Sequence, residues 1–424
     1  MPDYSTLRST LDGPSFATAL LSWMEPRRWA LGFDRSRGLR YVTSNITVDE
    51  RATLIEGMAT DEVTKWNVPL ALVDPCVAGE SGGFVVDGLG FHDAISTPGG
   101  RSVISAMLLG RDFGPEALSI PRVEQSNSSI MVDHWAFIKL YRVLREASRR
   151  EVSIYRALSE RRAIGVATLL GDAELFGYPS AIALSYVESE GDLFEVLRRS
   201  REKGSSHREI ASTLESVGDA LATLHRDLSQ SLDVTDSKGS SMLMKDAIAR
   251  CEAVWARLAS NDPELADRRQ SVLRIQLGMS RRGVVDRRIT CQVIHGDLHL
   301  GQVLATESGM CFLDFEGEAF EVSSQFLSPA PREYDIAGML RSIDYLTYGS
   351  TDPTERLLYR SAFLDGYRSS NEVAALDEDL LAMSEVEKAT YELLYEIHAS
   401  RGLTSVPLAF LDEMIEQGSV GHGY

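Results

Sequence analysis

Residues 293–317, VIHGDLHLGQVLATESGMCFLDFEG, contain two apolar runs that each end on a carboxylate. Val293 and Ile294 lead into the turn His295-Gly296-Asp297-Leu298-His299-Leu300-Gly301-Gln302, and Cys311-Phe312-Leu313 lead into Asp314-Phe315-Glu316-Gly317. An apolar strand that delivers a polar turn is how a fold holds a reactive side chain on a rigid support. Either turn alone reads equally well as a capped surface turn. The two together, each behind an apolar strand, read as a site.

The spacing says what kind of site. Four residues separate Asp297 from Gln302, the interval between the base Asp and the metal-binding Asn of a protein-kinase catalytic loop, and Gln offers the same amide oxygen. Asp314 lies twelve residues beyond Gln302, where it serves as the Asp of a kinase Asp-Phe-Gly segment; here the segment is Asp-Phe-Glu-Gly. Phosphoryl transfer needs this set: one carboxylate to orient the attacking hydroxyl and accept its proton, and separate oxygens to hold magnesium against nucleotide phosphates. Asp297 is the candidate base, and Gln302 and Asp314 are the candidate metal ligands.

Upstream, Lys139 sits inside the apolar run 136–142, AFIKLYR, where it needs an anionic partner. Glu151, on a helix expected over 149–160, can supply it, leaving Lys139 to face phosphate. Ser126-Asn127-Ser128-Ser129 offers hydroxyls and amides for phosphates or a plain hairpin turn, with Ser128 the candidate contact. No Gly-x-Gly-x-x-Gly, Walker-type Gly-x-x-x-x-Gly-Lys-Ser/Thr or Gly-x-Ser-x-Gly segment is present, which removes the main support for dinucleotide-binding, P-loop and hydrolase readings.

The rest of the chain sets the frame. Its 424 residues imply more than one compact domain. Residues 22–75 show short alternating runs, 39–46 and 66–73 among them, as in a sheet-rich unit, with 23–32 a packed helix end. Residues 79–100, rich in Gly, Ser and Asp, read as a loop or lobe connection. Strands are expected at 123–126, 130–132, 136–142 and 181–187, and long helices at 208–228 and 246–258, with 233–241 an exposed loop. The expected class is α+β: a bilobal protein-kinase-like core behind an N-terminal sheet-rich cap, with domains 1–85, 86–188 and 189–424. In the last of these, Arg341, Asp344 and Tyr345 share one helix face, Tyr391 and Tyr395 share another, and Glu392 and Glu396 flank them. Such groups hydrogen-bond sugar hydroxyls and stack on sugar rings.

A net charge of −19 opposes a nucleic-acid partner, because phosphate backbones are bound by Lys and Arg. No stretch reaches the ~18 apolar residues of a membrane span, and the N-terminus has no signal-peptide pattern, so a cytoplasmic protein is expected. The four cysteines form no metal or disulfide pattern and are expected as buried thiols.

Arg27 to Trp29, Val68 to Leu70, the 124–129 segment EQSNSS, Lys139, LATLH at 221–225, His295 to Gln302, DFEGE at 314–318, 335–345 and 391–396 together resemble the maltokinases, within the aminoglycoside-phosphotransferase-like group. The resemblance covers most of the chain; DFEGE and AGMLRS are its more specific parts. It implies ATP and Mg2+ as cofactors and transfer to the anomeric hydroxyl of maltose, giving maltose 1-phosphate for glycogen or α-glucan synthesis. It also implies a possible association with a trehalose- or maltose-converting enzyme. By the same match His295, His299 and Glu316 join Arg341, Asp344, Tyr345, Tyr391, Glu392 and Glu396 around the sugar. The chain departs from the pattern after residue 396, where IHASRGL replaces a basic, Trp-containing stretch. Without that indole platform, a monosaccharide or an amino sugar such as glucosamine, or an aminoglycoside, stays open as acceptor. A kinase-shaped binding protein without turnover is the alternative of another class.

Overall fold

The computed structural model describes residues 3–30, 38–121, 127–258, 263–282, 286–317, 327–370, 375–399 and 402–420. It divides into two compact units, Met1–Ser159 with Ala167–Glu188, and Glu160–Val166 with Ser189–Tyr424.

The first unit opens with helices α1 (Tyr4–Leu11) and α2 (Pro14–Met24). Asp3 caps α1 by accepting from the Thr6 amide at 2.8 Å. An antiparallel sheet follows, made of β1 (Arg40–Val48), β2 (Thr53–Thr60), β3 (Lys65–Asn67), β4 (Leu70–Val73), β5 (Phe84–Val86) and β6 (Leu89–Asp93), in the order β1-β2-β4-β6-β5 with β3 beside β2. Phe16 of α2 packs on Tyr41, Phe84 and Phe91 with ring centroids 5.1–5.6 Å apart, the aromatic centre of this core. The run 66–73 is two strands rather than one, broken at Val68 and Pro69.

The expectation of a loop over 79–100 is corrected. The segment holds the end of α3 (Pro75–Ser81), the hairpin β5–β6 and the start of α4 (Pro98–Leu109). Its Asp87-Gly88 pair is the hairpin turn, with φ of 51° and 78°, so the composition marked a tight reversal and not a linker. Thr97 then caps α4 by accepting from Gly100 N at 3.1 Å.

The second sheet of this unit runs β10-β11-β9-β8-β7, all antiparallel, from β7 (Leu118–Ser119), β8 (Ser128–Val132), β9 (Ala136–Leu140), β10 (Leu169–Leu175) and β11 (Tyr178–Ser185). Helix α5 (Ser148–Arg161) leaves β9. The strand expected at 123–126 lies outside the described residues. Leu54 and Ala71 of the first sheet share a core with Val103 and Ile104 of α4 and with Ile130 and Ile138 of the second. This core sets the register that presents Lys139, opposite Ser129 on one side and Ile182 on the other.

The second unit is mainly helical: α6 (Leu193–Glu202), α7 (His207–Ser231), α8 (Ser240–Leu258), α9 (Pro263–Arg282), α10 (Glu333–Thr347), α11 (Pro353–Ser369), α12 (Glu378–Ala399) and α13 (Ser405–Val420). Ser206 and Glu209 form a capping box on α7. Residues 233–241 are not the exposed loop expected. Their centre is strand β12 (Thr235–Gly239), paired antiparallel with β13 (Arg288–Gln292), with Asp236 opposite Cys291. An edge strand spelled TDSKG carries no apolar alternation; its backbone ladder to β13 is joined by Arg288 Nε donating to Ser237 Oγ at 3.1 Å. The hairpin β14 (Val303–Thr306) and β15 (Gly309–Phe312) follows, and β16 (Ala330–Pro331) adds to β13. Cys251, Cys291 and Cys311 are buried free thiols, but Cys76 is exposed, at the start of α3. Among the described residues no helix is long and apolar enough to cross a membrane.

Candidate active site

In the second unit, β13 stops at Gln292, two residues earlier than the apolar run suggests, and Val293 and Ile294 continue it as buried extended chain. The turn that follows is anchored by one carboxylate at the start of α10. Asp335 accepts from His295 N at 2.7 Å and from Gly296 N at 2.8 Å. It also accepts from His225 Nε2 at 3.0 Å, while His225 Nδ1 meets the Tyr367 hydroxyl at 2.9 Å. Burial works to raise the Asp335 carboxyl, but the His225 bond, the two neighbouring imidazoles and the Gly296 amide overcome it and lower its pKa to about 2. Gly296, at φ 93°, makes the bend that turns Asp297 outward to a half-buried position.

Asp335 and His225 were not singled out as functional from the sequence. Their signal was a carboxylate opening one helix and a His on the apolar face of another, a pattern that becomes specific only once α7 and α10 are known to pack around the turn.

The other end of the turn is tied to the strand that carries Asp314. His295 Nε2 donates to Leu313 O at 2.7 Å, and its ring packs on Phe315 at 4.8 Å. Leu313 N donates to Gln302 O at 2.9 Å, and Gln302 Nε2 to Asp314 Oδ2 at 3.3 Å. The expected metal ligands are thus adjacent, and Asp314 holds a φ of 62° that a side chain seldom adopts. His299 accepts from Gly301 N at 3.1 Å through Nδ1. Burial depresses the imidazoles of both His295 and His299 below the usual range.

Helix α10 approaches this turn so closely that only glycine fits at 338: a Cβ there would stand 2.3 Å from Leu298 O. Gly338→Ala is therefore expected to lower stability by ~1–3 kcal/mol, read as a fall in Tm; an unchanged Tm would show that the helix and turn can part freely.

The groups expected around the substrate divide. His295 is fully buried and joins the turn to Asp335 through its amide and to Leu313 through its ring. Arg341 and Asp344 are also buried, and they bond to each other and to neighbours: Arg341 Nη2 lies 2.8 Å from Glu392 Oε2, and Asp344 receives Arg356 Nε at 2.7 Å and Arg360 Nη1 at 3.1 Å. The cluster ties α10 to α11 and α12, with Arg341 and Asp344 on one helix face as the spacing predicts. His299, Glu316, Tyr345, Tyr391 and Glu392 are half-buried, Glu396 is buried and Tyr395 is exposed. Glu318, at the end of the DFEGE motif, lies outside the described residues, as do Glu124, Gln125 and Ser126.

In the first unit, Lys139 Nζ lies 2.9 Å from Glu151 Oε2, and the Tyr141 hydroxyl donates to the same oxygen at 2.7 Å. Glu151 is almost wholly buried and Lys139 nearly so, and the pairing holds the Lys139 ammonium in one place on its strand. Ser128 Oγ accepts from Arg142 Nε at 2.7 Å and keeps its hydrogen to donate.

The donor chemistry of the second unit suits a hard divalent cation. With the Gln302 amide nitrogen turned to Asp314, an amide oxygen and carboxylate oxygens remain side by side, which is the set magnesium prefers and a soft metal does not.

A family profile described as the phosphotransferase enzyme family (APH) matches residues 121–378. Two curated relatives are glucosamine kinases: one from Mycolicibacterium smegmatis, 24% identical over 138 residues, and one from Streptacidiphilus jiangxiensis, 26% identical over 140. These alignments take in 30% and 29% of this chain and span only 35% and 32% of the relatives' own lengths. Among solved structures, a glucosamine kinase in complex with glucosamine, ADP and inorganic phosphate aligns over 97% of this chain and 99% of its own, at 17% identity and a TM-score of 0.65. A second crystal form of a glucosamine kinase aligns over 98% and 100%, at 16% identity and 0.66. At such identities the likeness is one of fold, and the α+β kinase-like class expected from the sequence is the one found.

Proposed function

This chain belongs to the phosphotransferase enzyme family, and from that premise we propose that it phosphorylates a hydroxyl of a small sugar with ATP, an amino sugar of the glucosamine type being the first acceptor to test. The observation that carries the reading is the Asp297 turn, pinned through His295 and Gly296 to Asp335 and through Leu313 to the strand end bearing Asp314. A half-buried carboxylate on a support this rigid can orient a hydroxyl without reorganising when it reacts.

In the proposed mechanism the acceptor hydroxyl donates to Asp297, its oxygen attacks the γ-phosphorus in line, and its proton passes to the carboxylate as the bond to the leaving nucleotide breaks. Gln302 and Asp314 would hold magnesium, which when bound neutralises phosphate charge. Lys139, fixed by Glu151, would meet phosphate as a point charge. Glu316, Tyr391 and Glu396 would face the sugar, with carboxylates suited to an ammonium group.

Support for glucosamine comes from the named relatives and from the missing Trp after residue 396, which removes a platform for a second ring. The DFEG and AGMLRS segments favour maltose as the second reading, and association with a maltose-supplying enzyme belongs to that reading. ADP release with magnesium-ATP should be compared across glucosamine, maltose, glucose and an aminoglycoside. Turnover with glucosamine at the highest kcat/KM is the expected result. Preference for maltose would keep the mechanism and move the substrate, and ADP release with none of them would overturn the sugar-kinase reading.

A further inference from the structure

Arg142, just past β9, is 1% exposed, and its side chain is bonded on two sides. Nη2 lies 2.6 Å from Asp93 Oδ2 at the end of β6, and Nη1 donates to Asn67 O at 3.4 Å. Its guanidinium sits 4.7 Å from the Trp29 ring centroid. Those three partners belong to the first sheet and the segment before it. The remaining bonds run the other way: Nε donates to Ser128 Oγ at 2.7 Å, and the Arg142 amide donates to Asn127 Oδ1 at 3.2 Å.

One carboxylate would be enough to neutralise a buried guanidinium. Here the planar fork is shared between Asp93, Asn67 and Ser128, an arrangement a Lys ammonium cannot reproduce. Asn67 is itself tied down: its backbone amide donates to Arg142 O at 2.9 Å and its Nδ2 to Ser180 O on β11 at 3.0 Å. Asp93 Oδ1 accepts from Ile95 N at 3.2 Å. The anchor on the first-sheet side is therefore rigid, and the segment held at the other end is the opening of β8.

We infer that Arg142 is a positioning residue for the nucleotide: through its guanidinium the N-terminal sheet fixes Ser128 in the place from which it meets phosphate. This rests on the proposed kinase reading and gives the sheet-rich N-terminal region a part in ATP binding. A merely structural Arg142 would affect stability alone. A positioning Arg142 affects the KM for ATP and leaves the KM for the acceptor in place.

The test begins with the full chain and the acceptor that gives ADP release, so that failure of the kinase reading shows in the wild type before any variant is made. Arg142→Met, confirmed folded by circular dichroism, is expected to raise the KM for ATP by about tenfold or more, with the acceptor KM within about twofold of wild type. Asp93→Asn keeps an acceptor for Nη2 while removing the charge, and decides the question if Arg142→Met does not fold: a rise in the KM for ATP alone supports the inference. A folded variant whose Tm falls while its KM for ATP stays at the wild-type value overturns it, as does an equal rise in both KM values.

Discussion

Asp297→Asn is expected to lower turnover by about 10^3-fold, within the range by which a positioned general base accelerates a proton transfer. The substitution keeps the shape of the side chain and leaves Gly296, His295 and their bonds to Asp335 untouched, so the turn should survive. An amide cannot take the hydroxyl proton, and it presents no negative charge to orient the hydroxyl. Affinity for magnesium-ATP should stay within a few-fold of wild type, because the groups assigned to nucleotide and metal are Lys139, Gln302 and Asp314. Steady-state ADP release together with an ATP titration checks both halves. A variant that retains more than about a tenth of wild-type turnover would remove Asp297 from the role of base.

Asp335→Ala is expected to act on the fold as strongly as the first change acts on chemistry. It removes the acceptor of three buried donors at once, the His295 and Gly296 amides and His225 Nε2. Leaving such groups without partners should cost about 3–5 kcal/mol, seen as a lower urea midpoint with an unchanged slope. The same residue predicts a pH dependence. Its folded pKa of about 2 lies below the usual carboxylate value of 3.8. The unfolded chain therefore binds the proton first as pH falls, and this stabilisation is complete above pH ~4 and lost as pH falls towards ~2. The difference corresponds to about 2 kcal/mol. In Asp335→Ala that part of the acid limb should flatten; an acid limb identical to wild type would place the stabilisation elsewhere.

How far the chain could be read in advance follows from where each signal resides. Asp297, Gln302 and Asp314 could be singled out because their signal is local: Asp297 and Asp314 each follow an apolar run, and the structure places Gln302 beside Asp314. Lys139 and Glu151 were legible for a related reason, since a Lys among strand residues demands a partner and the next helix offers one. The Asp335–His225–Tyr367 anchor was not, because its members come from three helices whose packing no linear pattern records. Arg341 and Asp344 were read as sharing one helix face, and they do; that this face also meets Glu392, Arg356 and Arg360 in a buried charge cluster is tertiary information that helical spacing does not carry. Turn chemistry misled once, at Asp87-Gly88, where a hairpin was read as a linker, and the polar strand Thr235–Gly239 had no side-chain signature to read. The affiliation inferred from the motifs holds for the wider phosphotransferase family.

The most direct test of the central claim is phosphorus-31 NMR of the purified protein with magnesium-ATP and glucosamine. The account predicts a new sugar phosphate resonance growing in step with ADP, and its absence when Asp297→Asn replaces the wild type under the same conditions. ATP consumed to ADP and free phosphate with no sugar phosphate formed, or a sugar phosphate formed equally well by Asp297→Asn, would contradict it.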